Sequence, residues 1–123
     1  MQLRALGFAA AVALALGVAA GGASGGGTAA RRPAVTIRMG DFFFKPKVVT
    51  VHIGQAVRFV NVGRIEHTVA DTDAKGPIRS RLIKPRPLAH GQTQVVRFKR
   101  AGRILYLCTF HPSLMKGRIF VLP

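Results

Sequence analysis

The chain has 123 residues, 49% of them hydrophobic and none of them tryptophan, and 19 Lys and Arg stand against four acids for a formal charge of +15. That length leaves room for one domain around one small core and excludes a multidomain architecture. The charge describes a very basic globular protein whose acids are Asp41, Glu66, Asp71 and Asp73 alone.

The N-terminus reads as a targeting segment. Arg4 gives a short positive start, Ala5 to Ala20 form an apolar run of 16 residues, and small residues continue through GGASGGGTAA. This is the pattern of a signal peptide with several cleavable positions. An uncleaved membrane anchor is the alternative, although the run falls short of the roughly 20 residues that span a bilayer. No cysteine lies near the cut to carry a lipid, and Arg31 and Arg32 follow the apolar run, against a twin-arginine signal. Residues 1–30 are therefore expected to be signal peptide and small-residue linker, and residues 31–123 the domain. The mature protein is expected to be exported, to the periplasm, the cell surface or the medium.

From residue 34 the chain reads as strands. AVTIRM sets Val35, Ile37 and Met39 on one face, and KVVTVHI sets Val49, Val51 and Ile53 on one face with Thr50 and His52 on the other. Between them, DFFFK is expected to turn Phe42 and Phe44 inward and leave only Phe43 exposed. Gly54 turns the chain into AVRFVN, with Val57 and Phe59 inward and Arg58 outward. A strand is expected at Glu66 to Ala70. The stretch from Asp71 to Gly91, rich in Pro, Gly, Asp and Arg, reads as a long irregular connection with one short strand near Leu82. QTQVVRF, GRILYLC and GRIFVLP complete about seven short strands, and no helix of useful length or internal repeat is visible. The fold class is all-β, an antiparallel β-sandwich.

The chemistry concentrates in YLCTFHPSLMKG. Disulfides persist in exported proteins, yet Cys108 is the only cysteine, so it is buried and inert, joined to another chain, or bound to something. A thiolate at Cys108, an imidazole at His111 and a thioether at Met115 lie on one tight loop. Two His and one Cys with a weak axial Met form the ligand set of a blue-copper site. Of the remaining histidines, His52 alternates outward and His90 sits in the turn LAHGQT, which leaves His67 as the best fourth ligand. A buried free thiol with Met115 as core filler is the plainer alternative. Zinc fits less well, since structural zinc takes more cysteines and has no use for methionine.

YLCTFHPSLMKGRIFV resembles the C-terminal copper loop of the cupredoxins, plastocyanin and amicyanin among them. FFFKPKVVTVHIGQAVRFVNVGRIEHTVAD is similar to their N-terminal half, which ends in the first histidine ligand. The resemblance covers about residues 35–123 and is loose through GPIRSRLIKPRPLAHGQTQVVRF. It implies a Greek-key β-sandwich holding one type 1 copper, Cu(I) or Cu(II), per chain, through His67, Cys108, His111 and, axially, Met115. This sequence departs from the family at three places. Three residues separate His111 from Met115, where amicyanin loops have two and plastocyanin loops four; Glu66 stands where proline is frequent; and Thr68 stands where plastocyanins have asparagine.

Four filled ligand positions leave no open place for a substrate, so the reading is an electron carrier and not an enzyme. His111, flanked by Pro112 and Leu114, is the expected edge where electrons enter and leave. Copper storage or delivery in the cell envelope is the alternative, and a metal-free polybasic envelope-binding module a further one. Arg79, Arg81, Lys84, Arg86, Arg97, Lys99, Arg100 and Arg103 make a positive field suited to acidic redox proteins or an anionic envelope surface. Peripheral membrane association is compatible with that surface, and the chain is expected to be a monomer. Nucleic acid is not expected as a partner, because no base-stacking aromatic array accompanies the charge.

Overall fold

A computed structural model describes residues 31–73 and 78–123; the expected signal peptide and linker at 1–30 lie outside the described residues. Among the described residues there are eight strands: β1 Val35–Gly40, β2 Phe43–Lys45, β3 Val48–His52, β4 Ala56–Asn61, β5 Ala70–Thr72, β6 Thr93–Arg97, β7 Gly102–Leu107 and β8 Lys116–Leu122. They form two four-stranded sheets, ordered β2-β1-β4-β6 and β3-β8-β7-β5.

The alternating sequence pattern explains the sandwich. In β8 every second residue, from Gly117 to Val121, is buried, and Ile37 and Met39 of β1 and Val57 and Phe59 of β4 are wholly enclosed. Each large side chain so buried contributes roughly 1.5–3 kcal/mol. At the centre Phe44, Phe59 and Tyr106 pack edge to face, with ring centroids 4.8 Å apart for Phe44 and Tyr106 and 5.4 Å for Phe59 and Tyr106.

In each sheet one pairing is parallel, β1 with β4 and β3 with β8, and the others are antiparallel. The parallel pairs arise because successive strands change sheets. Gly54, at φ +79°, passes the chain from β3 in one sheet to β4 in the other, a conformation open to glycine at little cost.

Three local expectations are corrected. The eighth strand is β2, formed because Asp41 and Phe42 reverse the chain tightly enough to pair Phe43 with Gly40. Phe42 therefore sits at the tip of a turn, with φ +76°, and is exposed, not inward as the alternation from Phe44 suggested. The strand expected at Glu66 to Ala70 begins only at Ala70, because His67 makes a single bridge to Leu88 and the Thr68 amide is engaged by a sulfur. Among the described residues no strand forms near Leu82; instead the carboxylate of Asp71 accepts the amides of Leu82 and Ile83 at 2.9 and 2.8 Å and pins an irregular segment.

The two ends of the sandwich differ. Asp41, the loop from Asn61 to His67, the Leu88 region and the loop between β7 and β8 gather at one end, joined by His67–Leu88 and Asp41–His67 contacts. Pro33, Gly54, Phe98 and Pro123 gather at the other, where Gly54 donates to Phe98 and Gln55 to Pro33.

Candidate metal centre

The loop 108–115 is a closed extension of the β7–β8 hairpin. Beyond the last ladder pair, Leu107 with Lys116, the Cys108 amide donates to the Met115 carbonyl at 3.0 Å. Inside that closure the His111 amide donates to the Cys108 carbonyl at 3.2 Å, and the Met115 amide to the His111 carbonyl at 3.0 Å. The three residues between His111 and Met115 are thus taken up in one backbone turn, which returns Met115 to the core.

His67 arrives from the other side of the same end. Its backbone is held by two hydrogen bonds with Leu88, 2.9 and 3.1 Å long, and the loop before it is braced by the buried Asn61. The Asn61 side-chain amide donates to the carbonyls of Leu88 and Ile65 at 2.6 and 2.8 Å, and its oxygen accepts the Gly63 amide.

The four residues singled out by sequence are brought to this one end. His67, Cys108 and Met115 are fully buried, and His111 is half-buried. The thiol of Cys108 lies 3.9 Å from Nδ1 of His67. Two ligands of one ion, each roughly 2.0–2.3 Å from it, stand about 3.5–3.8 Å apart at tetrahedral to trigonal angles, so the pair suits a shared ion. The His111 ring lies edge-on to His67 with centroids 5.6 Å apart. Among the described residues no three of His, Cys, Asp and Glu stand close enough together to hold a metal ion, so the pair His67 and Cys108 is the preformed part of the site and His111 lies further off. The other two histidines are elsewhere engaged, His52 Nδ1 with the Pro123 carbonyl at 3.0 Å and His90 Nδ1 with the Gly63 carbonyl at 2.8 Å.

Two supporting groups have roles that the sequence reading did not assign. Nε2 of His67 lies 3.0 Å from Oδ1 of Asp41, so that nitrogen carries the proton and donates, leaving Nδ1 with a free lone pair facing the thiol. Asp41 also accepts the Arg64 amide at 2.9 and 3.0 Å; this contact first, and the His67 ring second, hold its carboxyl below the usual carboxylate range. Gly63 permits the arrangement, because any side chain there would collide with the Asp41 carboxylate. The second group is Thr68. Its amide donates to Cys108 Sγ at 3.4 Å, and its hydroxyl accepts the Thr109 amide at 2.8 Å, tying the two halves of the site together. Glu66 faces solvent.

A soft, buried sulfur beside an imidazole with one free nitrogen, a second imidazole and a buried thioether is a donor set for copper. The sequence pattern of copper binding proteins of the plastocyanin/azurin family matches residues 32–122. The chain belongs to this family. It is a cupredoxin, and its cofactor is copper, one ion per chain.

This cupredoxin is 30% identical to amicyanin-alpha of Methylorubrum extorquens over 128 residues, covering 97% of this chain and 99% of that protein. Among solved structures it superposes on amicyanin from Paracoccus versutus with a TM-score of 0.61 at 26% identity, over 72% of this chain and 81% of that one. It also matches a copper-containing nitrite reductase from Thermus scotoductus with a TM-score of 0.60 at 31% identity. That match covers 75% of this chain but only 23% of the reductase, so the cupredoxin spans about a quarter of its length. The Greek-key β-sandwich expected of the sequence is the fold these relatives share.

Proposed function

We propose that this cupredoxin is an exported type 1 copper protein that carries single electrons, with His67, Cys108, His111 and, axially, Met115 as its ligands. The observation that carries the reading is the buried Cys108 thiol 3.9 Å from a His67 nitrogen whose partner nitrogen is already committed to Asp41. Copper bound there supplies a centre that gains and loses one electron.

The protein's residues do the rest. Asp41 fixes the His67 ring and its tautomer, Thr68 orients the sulfur, and the Cys108–Met115 closure fixes the loop, so the donors are held in place by packing and hydrogen bonds and change little between redox states. Four donors fill the site and leave no position for a substrate, which supports a carrier over an enzyme. His111 is the port: it is half-buried, its ring packs edge to face with Phe42 at 4.8 Å between centroids, and Phe110 and Leu114 stand exposed on the same loop. Such an apolar rim suits brief, close docking of a redox protein, while the net positive charge speeds the approach of an acidic one. Residues 1–30 are read as the signal peptide and linker that direct export, and residues 31–123 as the copper domain, working as a monomer.

Copper delivery is the second reading, and the two differ in how tightly the reduced ion is held. The carrier reading expects the dithionite-reduced protein to retain its copper during hours of incubation with a Cu(I) chelator. Rapid loss of copper from the reduced state alone would assign the protein to delivery.

A further inference from the structure

A cluster of positive charge lies at the end opposite the metal centre. An open groove there is lined by Arg81, Leu82, Arg97, Lys99, Arg100 and Arg103. All five cations are exposed, and Leu82 among them is 57% exposed. The positions follow from the topology. Arg97 donates to the Gly54 carbonyl at 2.8 Å, Lys99 and Arg100 fill the turn between β6 and β7, and Gly102 and Arg103 begin β7 opposite Val121 and Phe120. Six residues of β7 then run to Leu107, next to Cys108, which at about 3.3 Å per residue separates the two ends by roughly 20 Å.

Two acids, Asp71 and Asp73, border the pole beside Arg81 and Arg103, but both are already engaged. Asp41 and Glu66 belong to the metal end, Asp73 is paired with Arg79, and the Asp71 carboxylate is buried beneath the Leu82 and Ile83 amides. The described chain also begins here: Arg31 and Arg32 precede Pro33, whose carbonyl accepts the Gln55 side chain at 2.9 Å.

We propose that this cationic pole is a docking surface for bilayers rich in anionic phospholipid, and that docking there leaves the His111 end facing away from the lipid. Clusters of four to eight Lys and Arg are attracted to anionic lipid headgroups, and an exposed leucine among them reaches the acyl boundary. An acidic redox protein fits the pole less well, because a partner seated there lies roughly 20 Å from the port through which electrons pass. The outward orientation rests on the reading of His111 as that port; the docking itself does not.

The test uses the full-length, copper-loaded protein and vesicles of phosphatidylcholine, alone or with 30% phosphatidylglycerol. Partitioning is expected to be stronger on the anionic vesicles, and the excess is expected to vanish in 0.5 M salt. In R97Q/K99Q/R100Q/R103Q the excess should fall about fivefold per charge removed, several hundredfold in all, with the blue absorption unchanged. R38Q/K45Q/R58Q/R64Q removes the same charge away from the pole and should retain most of it. Equal loss in both variants would mean that net charge, not the pole, governs binding, and would overturn the proposal. Undiminished partitioning of the pole variant would overturn it as well and leave the pole to an acidic protein. For orientation, reduction by a small soluble donor should proceed at the same rate, within about twofold, on vesicles and in solution; a more than tenfold drop on vesicles would contradict an outward-facing port.

Discussion

Nε2 of His67 lies 3.0 Å from Oδ1 of Asp41, a residue 26 positions earlier at the turn between β1 and β2. The contact decides which nitrogen of His67 is left for copper. Asp41→Ala is expected to weaken copper binding ten- to hundredfold, as loss of a hydrogen-bonded partner behind a metal-binding histidine generally does. Asp41→Asn keeps an acceptor oxygen and removes the negative charge, so Cu(II) loses more than Cu(I) and the reduction potential rises by roughly tens of millivolts. Competition titration with a chelator and voltammetry measure the two effects; an unchanged affinity in Asp41→Ala would remove Asp41 from the site.

Met115 has two roles to separate, since it is buried in the core and proposed as the axial donor. Met115→Leu conserves volume and is expected to cost less than about 1.5 kcal/mol of stability while shifting the potential, because an axial donor tunes it. Met115→Ala leaves a cavity and should cost about 2–5 kcal/mol. A potential unchanged in a folded Met115→Leu protein would confine Met115 to packing.

Thr68→Ala removes the acceptor of the Thr109 amide and the partner of the Thr109 hydroxyl at 2.6 Å, but leaves the backbone donor to Cys108 in place. The expected cost is about 1–3 kcal/mol in chemical denaturation, with the thiolate-to-copper absorption retained. Loss of colour at unchanged stability would instead give the hydroxyl a direct part in the site.

Leu114 is 67% exposed beside His111, so Leu114→Glu should change stability by no more than about 0.5 kcal/mol. Electron self-exchange, measured by line broadening, should nevertheless slow at least tenfold, because two charged rims must then meet. A rate equal to that of the unaltered protein would move the port away from His111.

Tyr106 gives a pH dependence with a definite sign. Burial pushes its phenol well above the ordinary value, and its hydroxyl has no partner among the described residues. The folded state therefore holds a proton that the unfolded chain releases from pH about 10 upward. The contribution is complete below pH 10 and is lost as the pH climbs toward the folded value, at about 1.4 kcal/mol per unit. Tyr106→Phe should abolish that part of the alkaline loss and leave neutral stability unchanged or raised, since a buried hydroxyl without a partner is costly. Denaturation series from pH 8 to 11 would show it; parallel slopes for the two proteins would refute the assignment.

The sandwich was legible because alternation in β1, β3, β4 and β8 survives in a sheet with one buried face, and the loop residues because thiol, imidazole and thioether fall within eight positions. Asp41 was not legible. Its role depends on a contact across 26 residues and on Gly63 leaving room for the carboxylate, and neither carries a local pattern. Phe42 was misplaced for a related reason, since a two-residue reversal interrupts the period on which an inward assignment relied. Nor could the polarity of the molecule be read from its charge: cations spread along the sequence from Arg81 to Arg103 meet at one end only because β6 and β7 turn there.

A copper–thiolate centre at Cys108 is open to test by the visible absorption and electron paramagnetic resonance of the protein with one equivalent of Cu(II), alongside Cys108→Ser. An intense blue charge-transfer band with narrow copper hyperfine splitting, absent from the variant, is the predicted result. A weak, ordinary Cu(II) spectrum that is the same in both proteins would contradict it.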